Sequence, residues 1–256
     1  MEIHREELSD VTRYIENHRN QTLEDNREDY NATMKILRRY IQPGPDTPML
    51  EIGTGTGSFP LMCRLEGFPC EGVEISPQLV EYAAEFAKQY NLESTIRLGN
   101  IEDEEIGVNR YQIIVCNSVF EHIEHWRPAL KKIYRALKPG GVFLFSSTNK
   151  FSFTSGEYKF PLYGWLPDQW RYALRKKMQG PDIMKLGIDF NQFRYSVLRK
   201  AFRETGYEQI YDLIDLADPA SPMKKAALKM ARMNRLFRWS ALTFTTATVM
   251  VGIKAK

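Results

Sequence analysis

The sequence predicts an α/β fold built on a parallel sheet, and three observations carry that prediction. From about residue 48 onward, short apolar runs alternate with helical repeats, the pattern of strands joined by crossover helices. One of these runs, "YQIIVCNS" (111–118), is apolar almost throughout, as expected of a strand covered on both faces. Directly after the first run, "EIGTGTG" (51–57) sets three glycines at alternate positions, where a backbone turns sharply or is approached closely.

The elements follow in order. Leu8, Val11, Tyr14 and Ile15, then Tyr30, Met34, Leu37 and Ile41, recur at helical spacing within 5–41, and "QPGPDTP" (42–48) ends any helix there. "MLEIG" (49–53) is a strand, "SFPLMCRLEG" (58–67) a helix stopped by glycine, and "CEGVEIS" (70–76) the second strand. "PQLVEYAAEFAKQYN" (77–91) is a helix with proline at its first position, where a missing N–H costs little. "TIRLGN" (95–100) and the 111–118 run are strands three and four. A helix over 127–141 ends in Pro-Gly-Gly, "VFLFSST" (142–148) is the fifth strand, a helix covers 192–205, and strands close the chain at 207–214 and 242–253.

Composition narrows the class. At 256 residues with 43% hydrophobic content, the chain is large enough to bury a substantial core. Cys63, Cys70 and Cys116 show no metal-ligand or disulfide spacing and read as buried thiols of a reducing compartment. "MEIHREELSD" is charged throughout, so no secretory signal is expected. "ALTFTTATVMVGIKAK" (241–256) is too short and threonine-rich for a membrane span, so a cytoplasmic location is expected. The net charge of +3 is unevenly spread, because residues 219–256 contain eight Lys or Arg and no acid. Such a tail suggests an anionic partner. The acidic balance of the rest and the lack of an RNA-reading motif argue against nucleic acid.

The glycine turn sits at the carboxyl edge of the sheet, where open α/β sheets bind ligands. Its spacing is GxGxG, with Glu51 before it, rather than the dinucleotide GxGxxG. Glu74 closes the second strand about twenty residues on, where a carboxylate can accept hydrogen bonds from both hydroxyls of a ribose. A dinucleotide and another adenosine cofactor both remain open on these features.

Taken together, "MLEIGTGTGSFPLMCRLEGFPCEGVEIS", "LGNIED", "YQIIVCNSVFEHI" and "ALKPGGVFLFSSTN" resemble class I S-adenosylmethionine-dependent methyltransferases. The resemblance is to the small-molecule branch with ubiquinone-biosynthesis and sugar or natural-product enzymes, and it runs from about Pro48 to Asn149. It implies a Rossmann-like seven-stranded, mostly parallel sheet with helices on both faces and an antiparallel last strand. It also implies S-adenosyl-L-methionine as cofactor, S-adenosyl-L-homocysteine as product, and a small-molecule acceptor. By the resemblance, Gly53, Thr54, Gly55 and Gly57 admit the methionyl part, Glu51 orients the turn and the ammonium, and Glu74 with Ile75 takes the ribose. Asn100, Ile101 and Glu102 sit where the family reads adenine, with asparagine at a usual aspartate position, and Asn117 lines the sulfonium region. His122 is the candidate base for a hydroxyl acceptor. Ser118 replaces the first glutamate of a Glu-x-x-Glu-His metal run, so no metal is expected.

The predicted organisation is an N-terminal helical cap (1–47) and a catalytic domain (48–256) with two insertions. The first, 149–191, is aromatic-rich, with eight aromatics in the 22 residues from Phe151 to Tyr172. It is read as a lid or acceptor pocket containing Tyr158, Tyr163 and Trp165. The second, 217–240, is read as one basic helix over 221–239 with Met223, Ala226, Met230, Met233 and Phe237 opposite Lys225, Lys229 and Arg232. An anionic membrane surface or lipid-linked substrate is its expected partner. Methyl transfer to a hydroxyl oxygen of a glycan, lipid or natural product is the leading reading. A nicotinamide-dependent oxidoreductase and an inactive cofactor-binding subunit are the alternatives. The oligomeric state is not legible.

Overall fold

The computed structural model describes residues 12–154, 160–179, 190–217 and 222–256. Two short helices, α1 (Thr12–His18) and α2 (Arg27–Leu37), precede the alternating part. There β1 (Met49–Ile52), α3 (Ser58–Leu65), β2 (Cys70–Glu74), α4 (Pro77–Lys88), β3 (Ile96–Leu98) and β4 (Tyr111–Asn117) follow one another. Next come α5 (Trp126–Ala136), β5 (Leu137–Thr148), α6 (Asp168–Gln179), α7 (Tyr195–Thr205) and β6 (Tyr207–Asp212). The chain closes with α8 (Leu213–Leu216), α9 (Pro222–Met233), α10 (Arg235–Thr243) and β7 (Ala247–Lys254).

One seven-stranded sheet has the order β3-β2-β1-β4-β5-β7-β6. The first five strands pair in parallel, whereas β7 runs antiparallel to both its neighbours. The Rossmann-like sheet with an antiparallel last strand is therefore as expected. Strand order reverses between β1 and β4, which brackets the glycine turn and fixes where a ligand crevice opens.

Alternation along each central strand splits the core between the two faces. Ile114, Cys116, Phe143 and Phe145 point to the face covered by Leu130 and Ile133 of α5 and Leu198 and Phe202 of α7. Ile113, Val115, Val142 and Leu144 point to the other face, under Tyr30, Met34 and Leu37 of α2 and Met62 of α3. All three cysteines are buried and free. Ser76 caps α4 by accepting from Leu79 N, and Pro77 takes the first position.

Two boundaries differ from the sequence reading for local reasons. The helix expected over 127–141 stops at Ala136, and Leu137 already pairs with Tyr111 as the first residue of β5. Pro139 biases Lys138 away from helical dihedrals, which ends the helix earlier than the glycines would. The basic segment is two helices rather than one, broken at Asn234, whose side chain accepts from Leu236 N and Phe237 N as the cap of α10. The face expected to be apolar and covered is not the buried one. Met230, Met233 and Phe237 are exposed, while Ala231 and Leu242 are buried and Leu228 packs against the core.

Both insertions rise from the carboxyl edge. Thr148 at the end of β5 pairs with Ala247 at the start of β7, and the Asn149 amide donates to Leu242 O and Thr245 Oγ1. Phe153 and Trp165 of the first insertion stack with Phe244, so the two segments meet over β5 and β7. Among the described residues, no helix is long and apolar enough to cross a membrane.

Candidate functional site: a cavity at the carboxyl edge

The turn after β1 is built from its glycines. Gly53 donates its N–H to Val73 O at 2.8 Å and holds φ at +66°, a conformation costly for side-chain-bearing residues. A Cβ there would lie 2.3 Å from Val119 Cγ2. Gly55 has φ +57°, and a Cβ on it would meet the Tyr14 hydroxyl at 3.2 Å. The second requirement is a finding of the fold, because Tyr14 arrives from α1.

Two buried carboxylates flank the turn. Glu74 accepts from Gly55 N at 2.8 Å and from Ser76 N at 3.0 Å, and burial pushes its carboxyl above the ordinary range against the pull of these hydrogen bonds. Glu51 lies behind the turn, where the Thr54 hydroxyl donates to it. Burial pushes its pKa up to about 8, so it is predominantly protonated at neutral pH.

These elements open onto a cavity of about 210 Å³. Of the residues anticipated from sequence, Gly53, Glu74, Ile75, Asn100, Ile101, Glu102 and His122 line it. Glu51, Thr54, Gly55, Gly57 and Asn117 stand outside the lining. Gly57 is the N-cap residue of α3, and Asn117 Oδ1 accepts from Ser146 Oγ at 3.0 Å. Asn100 Oδ1 accepts from Glu102 N, and the Glu102 carboxylate accepts from His125 N. The 100–104 loop is thereby fastened to the start of α5. Tyr163 is buried beneath the Arg171 guanidinium. Trp165 is partly exposed and donates its ring N–H to Ser152 O. Neither lines this cavity. Tyr158 lies outside the described residues.

Sequence reasoning missed Tyr14, Leu79, Val119 and Phe190 in the lining. It placed Ser118 only as a departure from a metal motif. Ser118 lines the cavity with φ +53°, a conformation that non-glycine residues seldom adopt and that clusters at functional turns. Burial is the main reason that the Tyr14 hydroxyl is held above its ordinary pKa, with Glu74 and Glu51 adding to it. Among the described residues, no group of three or more His, Cys, Asp or Glu is placed to hold a metal ion.

The charge of the lining separates the cofactor classes. Glu74, Glu102 and Glu124 line the cavity, and among the described residues no lysine or arginine does. A dinucleotide pyrophosphate would meet carboxylates without a counter-charge. An adenosine bearing a cationic sulfonium and no phosphate would meet a complementary field. The Glu74 carboxylate, held by two backbone N–H groups, suits a ribose diol, and Ile75, Leu79 and Ile101 offer apolar surface to a purine.

The profile of the family described as "Methyltransferase domain" matches residues 18–212. The chain belongs to this methyltransferase-domain family. A ubiquinone biosynthesis O-methyltransferase of Rickettsia bellii is 23% identical over 143 residues, covering 54% of this chain and 58% of that protein. One from Coxiella burnetii is 28% identical over 120 residues, covering 44% and 51%. The matches thus span little more than half the length of these relatives. Among solved structures, the phosphoethanolamine N-methyltransferase 2 of Haemonchus contortus in complex with S-adenosyl-L-methionine superposes with a TM-score of 0.59. It is 17% identical and covers 88% of this chain and 53% of that one, a likeness of fold.

Proposed function

We propose that the protein transfers a methyl group from S-adenosyl-L-methionine to a hydroxyl oxygen of a small-molecule acceptor. The observation that carries this reading is the cavity at the strand-order reversal, with an anchored glutamate, bare glycine backbone, a histidine and, among the described residues, no Lys or Arg in its lining. When bound, the cofactor supplies a methyl already activated for in-line displacement.

The chain's own part is positioning and proton management. Glu74 accepts from the ribose hydroxyls, and the Gly53 backbone lets the methionyl part approach without a Cβ. Ile101, Leu79 and Ile75 enclose the adenine, with Asn100 and Glu102 as its polar neighbours. Glu51 and Thr54 stiffen the turn from behind, Gly55 and Gly57 complete it, and Asn117 with Ser118 shapes the end of β4. His122 faces the same cavity from the short 3-10 turn Phe120–His122, and takes the proton that an acceptor hydroxyl gives up. Trp165 belongs to the aromatic edge that the acceptor passes, and Tyr163 supports that edge from below.

The test is transfer of a labelled methyl group to fractionated small-molecule extracts. Label in an alkali-stable ether supports the reading. Label only on nitrogen or carbon refutes the oxygen assignment. Tight S-adenosylhomocysteine binding with no transfer to any fraction points to the inactive-subunit alternative.

A second reading concerns where the acceptor is met. Met230, Met233, Leu236, Phe237 and Trp239 are exposed on α9 and α10, alongside exposed Lys225, Lys229 and Arg235. An apolar surface edged by cations suits an anionic membrane surface, and α8 to α10 both leave and rejoin the sheet at the carboxyl edge. Co-sedimentation with phosphatidylglycerol vesicles at low salt supports it, and no binding there ends it.

A further inference from the structure

We infer that a second cavity beside the cofactor site is an oxyanion subsite, so that the acceptor carries a phosphate, sulfate or carboxylate group. This rests on the methyl-transfer reading and names the acceptor's chemical class. The cavity, of about 360 Å³, is lined by Trp126, Arg127, Lys150, Gln192 and Arg194, with Asn191 on the side toward the cofactor.

Three cations from three elements converge there. Arg127 belongs to the first turn of α5, Lys150 follows β5, and Arg194 is the N-cap residue of α7. Among the described residues no carboxylate lines the cavity. Converging like charges repel unless an anion joins them. The one ion pair that Arg127 makes among the described residues, with Glu204 at 3.9 Å, has both side chains about half exposed, and such pairs contribute little.

Two of the three cations sit over aromatic faces. The Arg127 guanidinium lies 4.4 Å from the Trp126 ring centroid, and that of Arg194 lies 5.3 Å from the Phe151 centroid. A guanidinium held over a ring face keeps N–H groups able to bind an oxyanion. The positive ends of two eleven-residue helices, α5 and α7, add to the same field.

The two cavities are neighbours. Phe190 lines the cofactor cavity, and the next residues, Asn191 to Arg194, line the second. Asn191 N donates to Glu121 O, and its side-chain amide donates to Phe120 O and Ile123 O. This clamps the shared wall to the His122 turn. Lys150 N donates to Phe193 O at 2.7 Å, which holds the lysine's backbone to the same segment. An acceptor whose hydroxyl lies at His122 and whose oxyanion lies beyond Trp126 spans that wall.

The probe is inorganic phosphate, titrated by calorimetry into the full-length protein saturated with S-adenosylhomocysteine. Chloride at matched ionic strength is the control. Saturable binding of phosphate but not chloride is expected, weakened roughly ten-fold or more in Lys150→Ala and in Arg194→Ala. S-adenosylhomocysteine affinity in both variants should stay within about two-fold, because neither residue lines the cofactor cavity. Emission of Trp126, in a chain with Trp165, Trp170 and Trp239 changed to Phe, reports the same event at the site.

No saturable phosphate binding, or binding unchanged in both variants, overturns the inference while leaving the methyl-transfer reading intact. Loss of S-adenosylhomocysteine binding by the unaltered protein would instead sink the reading beneath it. Competition by a soluble phosphomonoester marks a free acceptor, and competition only by phosphatidylglycerol vesicles marks a lipid headgroup. Either of these supports the subsite.

Discussion

The two halves of the carboxyl edge differ in charge and in shell. Over β1, β2 and β4 the cavity is lined by three glutamates and by backbone that tolerates no added carbon at Gly53. Beside it, the cavity around α5, β5 and α7 is lined by three cations and, among the described residues, no acid, and the edge over β5 and β7 is covered by stacked aromatics. The contrast teaches that the edge sorts ligands by charge as well as shape. A sulfonium is favoured on one side and an oxyanion on the other, so a cofactor and an anionic acceptor are kept from exchanging places.

The largest effect that would break this comparison is expected from Gly53→Ala. Its Cβ would fall within 2.3 Å of Val119 in a left-handed conformation, a combined cost of about 2–5 kcal/mol. The variant should lose measurable S-adenosylhomocysteine binding by calorimetry and melt lower, while phosphate binding at the neighbouring cavity is retained wherever the chain is folded.

His122→Gln is next. Methyl transfer should fall roughly a hundred-fold, the usual loss of a general base, with cofactor affinity nearly unchanged. An unchanged turnover number would remove His122 from the proton path. Glu74→Gln keeps the shape and removes the charge. S-adenosylhomocysteine should bind roughly ten-fold or more weakly. Because burial raises the Glu74 carboxyl, binding by the unaltered protein should also weaken on acidification at a higher pH than an ordinary glutamate would cause.

The remaining effect is one of pH-dependent stability. The Glu51 pKa is about 8 when folded, against 4.5 for an unperturbed glutamate. The folded state therefore holds the extra proton between those values, and stability falls as pH rises through that window. Glu51→Gln, which cannot ionise, should melt higher than the unaltered protein near pH 8.5. Differential scanning calorimetry should find that advantage shrinking toward pH 5, and a constant offset would contradict it.

What was legible in the sequence follows from locality. The turn after β1, Glu74 at the end of β2 and the cap of α4 are each set by neighbours a few residues apart, so spacing and residue type identify them. The apolar run of β4 announces its two-sided burial for the same reason. Tyr14 over Gly55 depends on α1 reaching across the sheet edge, and no local pattern encodes that meeting. The cations at 127, 150 and 194 lie far apart in the chain, and only the shared edge makes them one group. The break at Asn234 was hidden because one helical period can be drawn through α9 and α10, although the asparagine is itself a good cap and was the available signal.

The N-terminal tyrosine also bears on the cavity wall. Its hydroxyl sits over the glycine turn and its ring stacks on His18, whose carbonyl oxygen accepts from the Tyr82 hydroxyl. Tyr14 lines the cavity, so α1 forms part of its wall and, through His18 and Tyr82, ties that wall to α4.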